Sequence, residues 1–293
     1  MNAGASVDVL IVSYNTAGVL RDCLRSIERH CPPQIELTAS VLDNGSRDGS
    51  PDMVAREFPA VRLVRSQENL GFGRASNYLA ETSSADYLLL LNSDTVWPQD
   101  IVTPLRAALE ADPCAIVVGP RLVWPGGGTQ LSSQSFPNLP LSLAHLLDGV
   151  GVQAVHDIVR RAQQADLVES REPRETDSVW ATCWLLRRAD VEREGLFDPR
   201  YAMYDEDLDF YEDLDFCLRA RKRGRTVLYH PGVELVHIGA ASSDTRRRQD
   251  RMWTARHRFY RDHHGRAAAA AYRGLILGAR LARGVSERRG ARR

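Results

Sequence analysis

The chain has 293 residues, of which 43% are apolar and 26% are charged, and its formal net charge is zero. These values are ordinary for a globular protein and fit one large α/β domain, or one domain with an appendage. The neutral total hides an asymmetry, because the segment from Thr245 to the C-terminus contains fifteen arginines and three acidic residues. A basic tail of this kind suits an anionic surface, either membrane or nucleic acid.

The five cysteines are odd in number and scattered, and no CxxC pair is present. This pattern favours reduced thiols in a cytoplasmic protein over a disulfide framework or a zinc site. The N-terminus enters an apolar strand within six residues, so we expect no signal peptide. The most apolar C-terminal stretch, Ala267–Ala282, is interrupted by Arg273 and Arg280. It is therefore too short and too charged to span a bilayer.

Strands and helices alternate along the first part of the chain. Strands are predicted at Val7–Val12, Leu37–Leu42, Val61–Ser66 and Tyr87–Leu91. Helices are predicted at Gly18–His30, from Ser50 to Phe58, at Gly73–Glu81 and at Ile101–Ala111. The alternation indicates βαβ units and a parallel sheet. The wholly apolar run Tyr87–Leu91 is typical of a parallel strand buried on both faces.

The second half is less regular. Strands are predicted at Ala115–Gly119, Val179–Arg187, Thr226–Tyr229 and Val233–His237, and a long Gly/Pro/Ser-rich loop at Trp124–Leu139. Residues 140–175 are predicted to be helices and a connection, Ala189–Glu194 a helical turn, and a helix is expected to end near Arg223. The basic tail is predicted to be largely helical.

Polar side chains follow three of the predicted strands at their carboxyl ends. They are Ser13, Tyr14 and Asn15, then Asp43 and Asn44, then Asn92, Ser93 and Asp94. In parallel sheets ligands bind beyond the carboxyl ends of the strands, so we expect these groups to converge on one edge. The convergence is the main physical argument for a single site.

Several of these groups have a functional and a structural interpretation. Asp43 can accept the N3–H of a uracil or thymine ring, or close an Asx turn. The turn around Gly71, with Arg74, can meet a diphosphate, or only begin a helix. Asn92 and Asp94 face the same side of an extended segment and suit a hard cation shared with phosphates, or form a turn. His237 gains a role only if Asp94 binds a metal.

The acidic segment is written almost twice. Asp205–Phe210 and Tyr211–Phe216 both contain Glu-Asp-Leu-Asp-Phe, and seven carboxylates fall between Asp205 and Asp215. Such a cluster is costly because like charges repel. It can supply a general base for a hydroxyl, or be an acidic first turn favoured by the helix dipole. The second interpretation accounts for two or three of the carboxylates but not for seven.

Taken together, these motifs resemble family 2 glycosyltransferases of the GT-A fold, in the rhamnosyltransferase-like branch that builds bacterial cell-wall and O-antigen polysaccharides. The matching words, in family order, are Ile11–Asn15, Asp43–Gly49, Asn69–Gly73, Asn92–Asp94, Gly195–Asp198, the Glu-Asp-Leu-Asp motif and His237. The resemblance implies a mostly parallel sheet flanked by helices. It also implies a transferase domain over residues 1–240, with a donor half at 1–119 and an acceptor half at 120–240, followed by the tail at 241–293.

The resemblance further implies an inverting sugar transfer from a dTDP- or UDP-sugar to a saccharide or lipid-linked acceptor. Asp43 would then hold the nucleobase of the donor. The other residues that would surround the donor are Ser13, Tyr14, Asn15, Asn44, Gly71, Arg74, Asn92 and Ser93. Asp94 and His237 would hold Mg²⁺ or Mn²⁺, and Asp213 or Asp207 would deprotonate the acceptor hydroxyl. This would place the protein in the cytoplasm or on the inner face of the plasma membrane.

The chain departs from the family pattern at three places. The metal motif begins with Asn92, which weakens metal affinity, and Trp180–Trp184 lacks a glycine common in the family, which leaves the shape of the acceptor pocket open. The acidic motif occurs twice, as if six residues were inserted. Six residues rotate a helix by about 600°, so both copies cannot face one site. Because a preceding loop tolerates an insertion better than a packed helix, we favour Asp213 over Asp207.

The basic tail interleaves arginines with Trp253, Phe259, Tyr260 and Tyr272, which fits an interfacial helix on anionic lipid as well as a solvated tail. Nucleic acid is not expected, because no recognition motif accompanies the charge. A non-catalytic nucleotide-sugar-binding protein and a nucleotidyltransferase are the alternatives. The latter expects a Gly-rich loop where Ser13–Thr16 stands. The sugar, the acceptor and the oligomeric state stay open.

Overall fold

A computed structural model describes residues 4–148, 155–162, 171–201, 211–239 and 245–290. The strands in these ranges are β1 (Ser6–Ser13), β2 (Glu36–Asp43), β3 (Arg62–Arg65), β4 (Tyr87–Asn92), β5 (Thr95–Val96), β6 (Ala115–Val123), β7 (Ser133–Gln134), β8 (Arg174–Thr176), β9 (Ser178–Val179), β10 (Cys183–Arg187) and β11 (Thr226–His237). The helices are α1 (Ala17–His30), α2 (Ser50–Glu57), α3 (Phe72–Glu81), α4 (Val102–Ala111), α5 (Leu139–Asp148), α6 (His156–Ala162), α7 (Arg188–Glu194), α8 (Glu212–Lys222) and α9 (Thr245–Gly290).

The main sheet is mostly parallel, as predicted. In the described part of the chain it has nine strands, ordered β3-β2-β1-β4-β10-β6-β11-β5, with β8 also paired to β11. The strands β1, β2, β3 and β4 run parallel, as do β6 and β11. The strand β10 runs antiparallel between β4 and β6, and the short strands β5 and β8 are antiparallel to β11. The order reverses at β1 and β4, which is where open α/β sheets bind ligands.

The sheet is buried on both faces, and β4 shows why its sequence is wholly apolar. Leu89 and Leu91 face a cluster formed with α1, α2 and α4, whereas Leu88 and Leu90 face a second cluster formed with α3 and α8. Successive side chains of a strand point to opposite faces, so a strand covered twice needs apolar residues throughout. Burying each leucine contributes roughly 1.5–3 kcal/mol, which fixes β4 at the centre of the fold.

Some predicted boundaries differ from the structure. The two last predicted strands are one strand, β11, with an irregular register between His230 and Glu234. The residues between the two predicted strands include Pro231 and Gly232, which are typical of turns but here lie within the strand. The predicted strand Val179–Arg187 is divided into β9 and β10, and the loop predicted at Trp124–Leu139 contains β7. The division of residues 1–240 into two halves stays a prediction.

The C-terminal helix α9 packs against the domain, and its axis changes direction at Gly265, whose φ is +84°. Its aromatic residues Phe259, Tyr260 and Tyr272 are buried among protein side chains. These three rings therefore face protein and not lipid, since an apolar stripe alone does not say what covers it. Contact of the basic tail with a membrane surface stays a prediction. No helix of the described ranges is long and apolar enough to cross a membrane.

Candidate active site

The predicted convergence at the carboxyl edge of the sheet is present. Ser13 at the end of β1 is in register with Asp43 at the end of β2, and Val12 is in register with Asn92 at the end of β4. A hydroxyl chain joins two of these ends, because the Thr16 hydroxyl lies 2.9 Å from that of Ser13 and donates to that of Ser93 at 3.2 Å. The strand ends therefore form one continuous polar edge.

Asp43 is 3% exposed and has one oxygen without a hydrogen bond among the described residues. Its Oδ2 accepts the backbone N–H of Ser46 at 3.1 Å, which is the Asx-type turn considered above. Its Oδ1 is buried and unpaired, and an unpaired buried acceptor is costly. An N–H donor such as a pyrimidine N3–H would satisfy it, and such a ring can reach it only if the surrounding loop shifts.

The loops that follow β1 and β2 support each other. Asn15 adopts a left-handed conformation (φ +51°) and is exposed. Its N–H donates to Ser46 Oγ at 2.9 Å, and its Oδ1 accepts the N–H of Arg47 at 2.8 Å. Asn15 thus holds the loop after Asp43 in place. Tyr14, beside it, is half-buried.

Asn44 supports the glycine-bearing turn before α3. Its Nδ2 donates to Asn69 Oδ1 at 2.7 Å, and its Oδ1 accepts the N–H of Leu70 at 2.7 Å. Gly71 then precedes α3 with φ +77°, a conformation that glycine adopts without strain. Arg74 is half-buried in the first turn of α3. The N–H groups of this turn and Arg74 are chemically suited to an anion, as predicted from the sequence.

Asp94 and His237 lie side by side, with Oδ1 and Nε2 3.5 Å apart. They meet because β11 pairs with β5 through His237 and Thr95, and because Ile238 N–H donates to the carbonyl of Asp94 at 2.9 Å. Both side chains are mostly buried. The structure thus brings together two residues that are 143 positions apart in the chain.

Gln130 fixes the His237 ring. Its Nε2 donates to the backbone carbonyl of His237 at 2.6 Å, so its Oε1 must be the atom 2.8 Å from His237 Nδ1. That oxygen can only accept, so Nδ1 donates to it and the ring turns Nε2 toward Asp94. A ring nitrogen and a carboxylate oxygen that face each other can share a bound cation.

This donor set fits a divalent cation that is shared with a ligand. No group of three or more potential metal ligands occurs in the described part of the chain, so an all-protein cage is absent there. One carboxylate and one imidazole leave positions for phosphate oxygens and water, which is how Mg²⁺ and related ions are held with nucleotides.

Asn92 donates its backbone N–H to the Thr182 carbonyl at 2.9 Å.

The acidic segment divides at Tyr211. The helix α8 begins at Glu212, and Tyr211 before it has φ +84°, which is not a helical conformation. The second copy is therefore the first turn of α8. Asp207 lies outside the described residues, so the choice between Asp207 and Asp213 stays a prediction.

Asp213 occupies a desolvated position at the start of α8. Burial raises the pKa of its carboxyl to about 6, although backbone N–H groups of Leu214, at 2.7 Å, and of Ala181 donate to it. Ala181 adjoins Thr182, whose carbonyl accepts from Asn92. One short loop thus touches both Asp213 and the end of β4. It connects β9 with β10 and lies within the segment Trp180–Trp184, which lacks the glycine common in the family.

Asp215, two residues further on, is paired and not available as a base. Its Oδ2 accepts from Arg219 Nε at 2.7 Å and its Oδ1 lies 2.8 Å from His263 Nε2. The side chain is 2% exposed. The carboxylates of one motif thus have different environments, and this difference separates a candidate base from a structural ion pair.

The sequence alone did not indicate a role for three residues of this region: Thr16, Gln130 and His263. Each acts through a partner that is distant in the chain, such as the 107 positions between Gln130 and His237. A single glutamine in a Gly/Pro/Ser-rich loop is not distinguishable from its neighbours. Only the pairing of elements far apart in the sequence shows what these side chains contact.

The chain matches the family model described as "Glycosyl transferase family 2" over residues 8–194. It is 30% identical over 250 residues to the N-acetylglucosaminyl-diphospho-decaprenol L-rhamnosyltransferase of Mycobacterium tuberculosis, covering 80% of this chain and 76% of the relative. It is also 30% identical over 132 residues to an N-acetylglucosaminyltransferase of Rhizobium meliloti, covering 43% of this chain and 31% of the relative.

Two solved structures resemble the fold. GalNAc-T7, crystallised with UDP, GalNAc and Mn²⁺, has a TM-score of 0.59 at 16% identity and covers 82% of this chain. This chain spans 46% of the length of that one. S. aureus TarS 1-349 has a TM-score of 0.53 at 13% identity, covering 88% of this chain and 73% of that chain. At these identities the likeness is one of fold, and the fold is GT-A.

Proposed function

The chain belongs to glycosyltransferase family 2, and from that premise we propose that it is an inverting transferase acting from a dTDP- or UDP-sugar. The observation that carries the mechanism is the position of Asp213. Its desolvated carboxyl shares one loop, Ala181–Thr182, with the end of β4. One loop thus connects the proposed catalytic base with the strand end that is proposed to bind the nucleotide. A transfer between two bound substrates requires such groups to be held close together.

In the proposed reaction Asp213 removes the proton of the acceptor hydroxyl. The resulting oxygen attacks the anomeric carbon from the face opposite the nucleotide, and the bond from that carbon to the diphosphate oxygen breaks. The nucleoside diphosphate leaves with the bonding electrons, and the anomeric configuration is inverted. A carboxylate with a raised pKa suits this proton transfer, because its basicity lies closer to working pH.

The donor is held by the carboxyl edge. Asp43 Oδ1 accepts a hydrogen bond from the nucleobase. The N–H groups after Gly71, together with Arg74, bind the diphosphate. Asp94 and His237 would hold Mg²⁺ or Mn²⁺, and such an ion would supply charge stabilisation for the departing diphosphate. The similar fold crystallised with UDP and Mn²⁺ supports this assignment.

The acceptor is proposed to be a lipid-linked saccharide and the sugar rhamnose or another hexose, in cell-surface polysaccharide synthesis. The mycobacterial relative, whose name states a decaprenol-linked acceptor and L-rhamnosyl transfer, covers most of both chains. A lipid-linked acceptor places the enzyme at the inner face of a membrane. Exposed arginines of α9, such as Arg266 and Arg273, would contact anionic lipid. To test this contact, binding to phosphatidylglycerol vesicles is measured by co-sedimentation for wild type and for the double variant Arg266→Gln, Arg273→Gln. Equal binding by the two would contradict the contact.

A thermal-shift panel of nucleotide sugars, with and without Mn²⁺, tests the donor assignment. A ligand that binds only the folded state raises its apparent stability, so dTDP- or UDP-sugars should raise Tm, more so with Mn²⁺. The variant Asp43→Ala should lose the shift with pyrimidine nucleotides, whereas Asp52→Ala, an exposed carboxylate of α2, should keep it. No shift with any nucleotide sugar would contradict the proposal.

A further inference from the structure

The inner face of α9 contacts the first turn of α8 on both sides of Asp213. Before Asp213, Arg256 Nε donates to the hydroxyl of Tyr211, and its guanidinium lies 5.6 Å from the centre of that ring. After Asp213, His263 Nε2 lies 2.8 Å from Asp215 Oδ1, with both side chains almost completely buried. The C-terminal helix therefore contacts Tyr211 and Asp215, which lie two positions before and two positions after the candidate base.

Tyr211 needs this support. A tyrosine at φ +84° is in the left-handed region, which is sterically unfavourable for a non-glycine residue. Such a conformation persists only where the surroundings determine it. Here the ring packs at 5.5 Å on Phe259, which is fully buried, and its hydroxyl binds Arg256. Both partners belong to α9.

The strained residue also sets the direction of the base. The carbonyl of Tyr211 accepts the N–H of Asp215 at 2.8 Å, which closes the first turn of α8 around Asp213. A different conformation at Tyr211 would rotate or unwind that turn. The carboxyl of Asp213 would then leave the N–H groups of Leu214 and Ala181.

We propose that Arg256 and His263 are positioning residues of the transfer reaction, and that the inner face of α9 is part of the active site. They act through Tyr211 and Asp215 to hold Asp213 toward the acceptor. The inference rests on the proposed function, since it assumes that Asp213 is the base. It assigns the inner face of the tail a role that is independent of its outer, arginine-rich face.

The test compares Arg256→Met, His263→Leu and the milder Tyr211→Phe, which removes only the hydroxyl. We expect kcat to fall roughly 10–100-fold for the first two and less for the third. The KM for the donor should change less than about twofold, because the edge formed by β1, β2 and β4 is untouched. His263→Gln, which can still donate to Asp215, should recover much of the activity. Arg261→Gln, on the exposed side of the same helix, is the matched control and should resemble wild type.

Hydrogen exchange gives a readout besides activity. The amides of Leu214 and Asp215 should lose protection in Arg256→Met and His263→Leu, while those of β1 and β4 keep it. The inference is overturned if kcat stays within about twofold of wild type, or if kcat and donor binding fall together as in partial unfolding. Activity in wild type but not in Asp213→Asn, with full activity in the α9 variants, would overturn the positioning alone. No transfer by wild type would overturn the proposed function with it.

Discussion

In the proposed reaction Asp213 is the base, and its environment predicts a pH dependence. Burial raises the pKa of its carboxyl to about 6, and only the ionised form can act as a base. The value of kcat/KM should therefore fall about tenfold per unit as pH drops below about 6. A carboxyl at its ordinary pKa of 3.8 would keep the profile flat to about pH 5. A flat profile measured with saturating metal would contradict the assignment.

The same burial predicts a gain in stability when the charge is removed. A rise in pKa from 3.8 to about 6 corresponds to ~3 kcal/mol, part of which is lost with the hydrogen bonds of the carboxylate. Asp213→Asn should raise the free energy of unfolding by ~1–2 kcal/mol near neutral pH. Because the folded pKa is the raised one, the wild-type penalty grows as pH rises from about 4 through about 6, and the difference should shrink at lower pH.

Asp215→Asn is the control for that measurement. This carboxylate is held by Arg219 and His263, so its loss should destabilise the protein by about 1–3 kcal/mol. Opposite signs at positions two residues apart would separate a base from a structural pair. Chemical denaturation at several pH values measures both, and equal destabilisation would contradict the account of Asp213.

Gln130 contacts His237 and should therefore affect the affinity of the proposed metal site. It orients His237, and such partners typically change metal affinity about 10–100-fold. Gln130→Leu should weaken Mn²⁺ binding, measured by calorimetry with UDP present, by about this factor. Gln130→Glu keeps an acceptor for Nδ1 and should weaken it less. Unchanged affinity in Gln130→Leu would contradict a role of Gln130 in the metal site.

At the scale of elements, the repeat permits a controlled pair of deletions. Removing 205–210 or 211–216 leaves the same Glu-Asp-Leu-Asp-Phe before Cys217, and the products differ only in having Tyr211 or Asp205 in front of it. The first deletion keeps the tyrosine that packs on Phe259 and should retain transfer within a few-fold. The second places an aspartate there and should lower Tm by several degrees, since a buried aromatic contact is lost. Equal Tm and activity in both would show that Tyr211 is dispensable.

At the scale of the whole molecule, the sequence predicted most of the polar edge formed by the ends of β1, β2 and β4. Parallel strands place Ser13, Asp43 and Asn92 together whatever their separation in the chain. The alternation of strands and helices, with the position where each strand ends, was therefore sufficient to predict this edge. It did not predict the direction of β10, since strand patterns carry no orientation. Nor did it predict that α9 packs on α8, because an amphipathic helix has the same pattern against protein and against lipid.

Asp213, in the second copy of the acidic motif, is proposed to be the base of a metal-assisted sugar transfer. The most direct measurement is release of nucleotide from dTDP-rhamnose and other nucleotide sugars with a prenyl-diphosphate-linked saccharide and Mn²⁺. Wild type, Asp213→Asn and Asp207→Asn are compared. We expect transfer by wild type, a loss of about 10²–10⁴-fold in Asp213→Asn and little change in Asp207→Asn. Full activity of Asp213→Asn, or loss confined to Asp207→Asn, would contradict it.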